Sequence, residues 1–172
     1  VVASMLSIGT KPYIVETGVV ALENTHNFGG GAIQPYESIR AISERCRDAG
    51  ITLHLDGARL GNAHVATGVP MRSYGRLFDT VSLCLSKGLG APIGSVLVST
   101  SDNIARARVQ RKRLGGGWRQ AGILAAAGLY ALDHHLERLR DDHAAARAFA
   151  EAVAAHTGTL VDPATNIVVL DT

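Results

Sequence analysis

The chain has 172 residues, 47% of them hydrophobic and 19% charged, with a formal net charge of +2. This suits a folded domain with a buried core, and the charge is too small to argue for nucleic acid, although basic residues cluster between Arg106 and Arg119. Two cysteines without a disulfide framework or metal-ligand spacing point to a reducing compartment, and no apolar run is long enough to span a bilayer.

The opening residues, "VVASMLSIGTKPY", show no clear helical or strand period and no signal-peptide features. "GVVALEN", Gly18 to Asn24, is a short apolar run of strand type, followed by the polar, glycine-rich "THNFGGGAIQP". After Pro35 a helical period sets in, with Ile39, Ile42, Cys46 and Ala49 on one stripe and Gly50 as its stop. "ITLHLD", Ile51 to Asp56, is the next strand. The resulting β-α-β unit predicts two parallel strands with a right-handed crossover. "TVSLCL" (Thr80 to Leu85) and "GSVLVS" (Gly94 to Ser99) are further strands. From Asp102 to about Ala155 the pattern is helical, with breaks at "LGGGW" and around Asp141. The alanine-rich stretch from Ala121 to Leu132 reads as a packed helix within it. "NIVVLD", Asn166 to Asp171, reads as a last strand. The expected class is α/β, a mostly parallel sheet flanked by helices, with no internal repeat. Both cysteines are expected to be buried small hydrophobes, and His134, His135 and His143 to be structural or exposed.

Polar groups gather where strands end. The first strand runs into Glu23-Asn24-Thr25-His26-Asn27, the second into Asp56-Gly57-Ala58-Arg59, the third into Ser86-Lys87-Gly88. In open α/β sheets ligands bind beyond the carboxyl ends of the strands, so a carboxylate, an arginine and a lysine can meet in one crevice. Pyridoxal phosphate needs such a set: a lysine amine for its aldehyde and a carboxylate that keeps its ring nitrogen protonated. The glycines after Lys87 allow a close backbone approach.

"LHLDGARLGNA", "SLCLSKGLGAPIGSVLV", "RKRLGGGWRQAGILAAAGLYAL" and "ENTHNFGGGAIQP" resemble the low-specificity threonine aldolases, in family order, from about Val19 to the end of the chain. These belong to the β-eliminating lyase group of fold-type I pyridoxal phosphate enzymes. The resemblance implies that Lys87 is the Schiff-base lysine, Asp56 the partner of the pyridine nitrogen and Arg59 the contact to the ring hydroxyl. Arg119 is similar to a family arginine near the cofactor phosphate, reached across a subunit boundary. Lys112 matches a basic residue at the substrate-site entrance, with a solvated charge as the plain alternative. His26 and Asn27 line the cofactor side, where His26 can equally brace its own loop. Trp118 stands where the family pattern has methionine.

The resemblance further implies retro-aldol cleavage of L-threonine, L-allo-threonine and related β-hydroxy-α-amino acids to glycine and an aldehyde. It implies a cytoplasmic homo-oligomer, dimer or tetramer, with no metal, nucleic-acid or membrane partner. Residues 1–135 are expected to form part of the large cofactor domain, and 136–172 a connecting helix and the start of a small C-terminal α/β domain. Family members are longer: their phosphate-binding turn, ring-stacking histidine and carboxylate-binding arginine are not assignable here, so both ends read as cuts within a longer polypeptide. The alternatives are another β-eliminating lyase, an inactive fragment of such an enzyme, or, more remotely, a nucleic-acid binder built on the basic helix.

Overall fold

The computed structural model describes residues 2–10, 12–158 and 162–170. Helix α1 (Val2–Met5) precedes strand β1 (Val19–Glu23), helix α2 (Tyr36–Asp48) and strand β2 (Thr52–Asp56). Helices α3 (Leu60–Thr67) and α4 (Met71–Gly75) lead to strands β3 (Thr80–Cys84) and β4 (Ser95–Ser99). Helices α5 (Ser101–Arg113), α6 (Gly122–His134) and α7 (Leu139–Thr157) follow.

The strands lie side by side in the order β1-β2-β3-β4. β1 and β2 are parallel, as are β2 and β3, while β4 returns antiparallel along β3. The sheet is therefore the predicted mostly parallel one with an antiparallel edge. Alternation sets its faces. On β2, Leu53 and Leu55 are buried while Thr52 and Asp56 are exposed.

Helix α2 supplies the first cover. Ile39 and Cys46 are each 1% exposed, and Ile42 and Ala49 pack against the same cluster as Val20, Ile51 and Leu53. Ser43 shares the buried stripe because its hydroxyl donates to the Leu77 carbonyl at 2.6 Å. Gly50 ends the run in the left-handed region, φ 65°, as the sequence predicts. A second cluster joins Leu55, Leu60, Ala63, Tyr74 and Val81. A third brings Val65, Leu85, Leu89 and Ala91 against Ala131 of α6 and Leu139 of α7.

Two predicted features are corrected. The helical break lies at residues 135–138, and Asp141 and Asp142 stand in the first turn of α7. Acidic side chains there complement the positive end of the helix dipole, so this pair marks a start rather than a stop. The expected last strand does not form between Asn166 and Leu170, and Asp171 lies outside the described residues. Ile167 and Val169 pack instead against the glycine loop, where a Cβ on Gly31 or Gly30 would meet them at 3.3 and 3.2 Å. That loop spends most of its backbone groups on itself, His26 N–H on Ala32 O and Gly31 N–H on His26 O, and the Gly31 carbonyl takes a side chain, the Thr165 hydroxyl, so it offers no ladder for a strand to join.

Candidate functional site

The parallel register sets Glu23 beside Asp56 and Asp56 beside Ser82. The carboxyl ends of β1, β2 and β3 thus form one row, and each continues into a loop carrying a predicted site residue.

Asp56 closes β2 with its side chain exposed. Its Oδ1 accepts the Ala58 N–H at 3.0 Å, which shapes the turn and leaves the other oxygen without a partner among the described residues. The turn lies directly on β3. Gly57 N–H donates to the Ser82 carbonyl at 2.8 Å, and a Cβ on Gly57 would stand 2.9 Å from that same oxygen. Only glycine admits this approach. Arg59 follows at the N-cap of α3, and its carbonyl accepts the Asn62 N–H at 2.9 Å.

Lys87 sits two residues past the buried Leu85. The loop doubles back: Ala91 N–H donates to Leu85 O at 3.0 Å, and Gly90 N–H to Lys87 O at 2.8 Å. Gly90 has φ 73°, a conformation that glycine adopts without a steric cost. The Lys87 side chain is exposed, and no carboxylate among the described residues pairs with it. A crevice runs between this loop and α3, walled by Arg59, Asn62, Cys84, Lys87 and Leu139. Ala58, held by Asp56, lines it too.

Cys84 departs from its expectation. It is only half-buried, because it follows Ser82 on the more open face of β3, whereas Cys46 is enclosed under α2. Burial alone would raise the Cys84 thiol. The Ser86 hydroxyl at 3.3 Å, backbone donors at Ser86 and Lys87 and the Lys87 cation outweigh it, holding the thiol below its usual range. Burial, and then Asp79, push the Cys46 thiol up.

His26 braces its loop. Its Nδ1 accepts the Gly29 N–H at 2.9 Å, which places the ring proton on Nε2, 3.7 Å from Glu23. The Asn27 N–H donates to the other Glu23 oxygen at 3.0 Å. Lys112 lies in the last turn of α5 and Arg119 in the loop before α6; both are exposed and neither lines the crevice. His135 is tied to the Leu89 carbonyl at 2.7 Å and His143 is buried, as structural histidines.

Asn62 and Cys84 are wall residues that the motif reading passes over. The signal for Asn62 was its place three residues after Arg59, one helical turn on; Cys84 carried none beyond sitting before Ser-Lys. The assembled donor set is an amine without an acidic partner, a carboxylate with one free oxygen, and a guanidinium. It suits a cofactor with an aldehyde, a protonated ring nitrogen and a phenolic oxygen.

Residues 2–172 match the beta-eliminating lyase family. The chain is 49% identical over 156 residues to the low-specificity L-threonine aldolase of Candida albicans, covering 90% of this chain and 41% of that one. A candidate L-allo-threonine aldolase from Listeria monocytogenes superposes with a TM-score of 0.79 at 26% identity, over 91% of this chain and 44% of that one. A candidate aromatic amino acid beta-eliminating lyase/threonine aldolase from Exiguobacterium sp. 255-15 gives 0.77 at 28% identity, over 85% and 42%. The chain thus spans less than half the length of these relatives.

Proposed function

The chain belongs to the beta-eliminating lyase family, and from that premise we propose that it carries the lysine, carboxylate and arginine of a pyridoxal phosphate site in a carbon-carbon lyase. The substrates would be β-hydroxy-α-amino acids, L-threonine and L-allo-threonine first, cleaved to glycine and an aldehyde. The observation that carries this reading is the crevice shared by Lys87 and Arg59, with Asp56 fixed at its margin through Ala58.

When bound, pyridoxal phosphate supplies an aldehyde that condenses with amines and a ring that draws electrons from a bond breaking at Cα. In this reading the protein's own groups do the rest. Lys87 offers its amine from a loop whose position is set by backbone hydrogen bonds. The free oxygen of Asp56 would accept the hydrogen bond of a protonated ring nitrogen, and its negative charge would keep that nitrogen protonated. Arg59 would donate to the ring oxygen. His26 is not arranged as the base for the β-hydroxyl, because its Nδ1 lone pair is already taken by Gly29 N–H. That proton goes to solvent or to a group elsewhere in the assembled enzyme.

Residues 1–135 then form part of the cofactor domain, and α7 begins the connection to a smaller one. Exposed apolar groups on and before α6, Ile123 at 86%, Leu129 at 63% and Trp118 at 59%, support a homo-oligomer in which Lys112 and Arg119 serve a neighbouring subunit's site. The free cysteines accord with a cytoplasmic location.

The test uses the protein at its natural length. Incubation with pyridoxal phosphate and L-threonine is expected to give glycine and acetaldehyde, and a keto acid with ammonia would overturn the reading. Borohydride reduction in the presence of the cofactor, followed by peptide mapping, is expected to label Lys87; a label on another lysine would overturn the site.

A further inference from the structure

Asn62 and His143 are 81 positions apart in sequence, yet they form a buried hydrogen bond of 2.9 Å between Asn62 Oδ1 and His143 Nε2. Asn62 is 3% exposed and His143 5%. Since the amide oxygen can only accept, the imidazole proton sits on Nε2. The amide oxygen is then occupied by His143, and the same residue lines the crevice.

His143 stands one turn beyond Leu139 on α7, on the same face. Leu139 is wedged against both walls of the crevice. A Cβ on Gly61 of α3 would lie 2.9 Å from it, and one on Gly88, next to Lys87, 2.6 Å. Apolar contact of this kind holds α7 close but is non-directional. The hydrogen bond is directional, and burial makes its loss costly. Leu139 and His143 together therefore fix α7 both along and around its axis, against α3 and the Lys87 loop.

We propose that the Asn62–His143 hydrogen bond is a positioning device that sets the geometry of the Lys87 crevice from α7. His143 touches neither cofactor nor substrate in this account; it acts through Asn62. The proposal rests on the reading of this crevice as the active site, and its test needs no cofactor, so failure of that reading and failure of this one can be told apart.

The reporter is Cys84, which lines the same crevice and whose thiol is tuned by Ser86 and Lys87. Its alkylation by iodoacetamide follows thiolate fraction and access. Cys46, 1% exposed and with its thiol pushed up by burial, is expected to react far more slowly, and peptide mapping separates the two. In the protein at its natural length, His143→Leu is expected to lower the Cys84 alkylation rate near neutral pH by roughly tenfold, because a looser Lys87 loop leaves less of the thiol as thiolate. Its pH midpoint should rise towards that of a free thiol. His143→Gln, whose amide can still donate to Asn62, is expected to restore the parent profile. Asn62→Ala, which removes the acceptor while keeping a strong helix former, should reproduce the leucine effect and stands in if His143→Leu cannot be purified. A leucine or alanine variant that melts lower but alkylates with the parent's rate and pH midpoint would reduce the pair to packing and overturn the proposal. A glutamine variant as altered as the leucine one would overturn it too.

Discussion

Gly57→Ala places one methyl group where the structure has no room. The added Cβ would stand 2.9 Å from the Ser82 carbonyl and 3.3 Å from Leu60 Cβ. The first contact is with sheet backbone, which cannot rotate away as a side-chain tip can. Either β3 shifts or the Asp56–Arg59 turn lifts, and in both cases the 2.8 Å bond from Gly57 N–H to Ser82 is stretched. Overpacking a tight site costs about 1–3 kcal/mol, and a weakened backbone hydrogen bond adds about 0.5–1.5 kcal/mol. The sum is about 1.5–4.5 kcal/mol, and a domain of this size loses roughly 2–4 °C in Tm per kcal/mol. The variant is therefore expected to melt about 3–18 °C below the parent. Thermal and urea unfolding of Gly57→Ala measure this, with Gly75→Ala as the control. Gly75 closes α4 with nothing within 4 Å of a built Cβ and no positive φ, so alanine there is neutral or stabilising by up to about 1 kcal/mol. A Gly57→Ala protein melting within a degree of the parent, with Lys87 still labelled by the cofactor, would refute the argument that this contact fixes the turn.

If the proposed function holds, Asp56→Asn in the natural-length protein is expected to keep part of the cofactor affinity and lose most turnover. The loss of a charge-assisted hydrogen bond of about 1.5–3 kcal/mol corresponds to roughly 10–150-fold in rate, and unchanged kcat would give Asp56 another task. Thr165 is fully buried and its hydroxyl donates to the Gly31 carbonyl at 2.8 Å, so Thr165→Val should cost about 1–3 kcal/mol in urea unfolding; no change would show that this tie carries no stability. Burial, then Arg147 and Arg140 against the opposing Asp142, hold His143 below the ordinary histidine range, while Asn62 faces it from α3. The unfolded chain thus binds the extra proton first. Stability is full above about pH 6.5 and falls as pH drops through that unfolded value and then the folded one. Unfolding free energies across this range should fall less steeply in His143→Gln than in the parent, and equal slopes would contradict the assignment.

Much of this architecture is legible in local pattern. β1 to β4, α2 and the Gly50 stop follow from short apolar runs, a one-sided apolar stripe and a left-handed glycine, all carried by neighbouring residues. The order of Asp56, Arg59 and Lys87 at strand ends is equally local, since each follows its strand within three residues. Helix α3 is different. Leu60, Gly61, Asn62, Ala63 and Val65 are all buried, so the helix has no polar side and shows no period to read. The segment after Asn166 has strand composition, but whether it pairs depends on the surface it meets, and that surface is a glycine loop already hydrogen-bonded to itself. Asp141 is a helix start only because α7 seats where Leu139 can fill the space beside Gly61 and Gly88. Cys84 and Cys46 carry the same expectation from the sequence, a buried small hydrophobe, and opposite chemistry in the fold, because their ionisation depends on what lies across space. The bond from His143 to Asn62 is of the same kind: neither residue announces the other, and only the docking of α7 on α3 brings an imidazole to the wall of the Lys87 crevice.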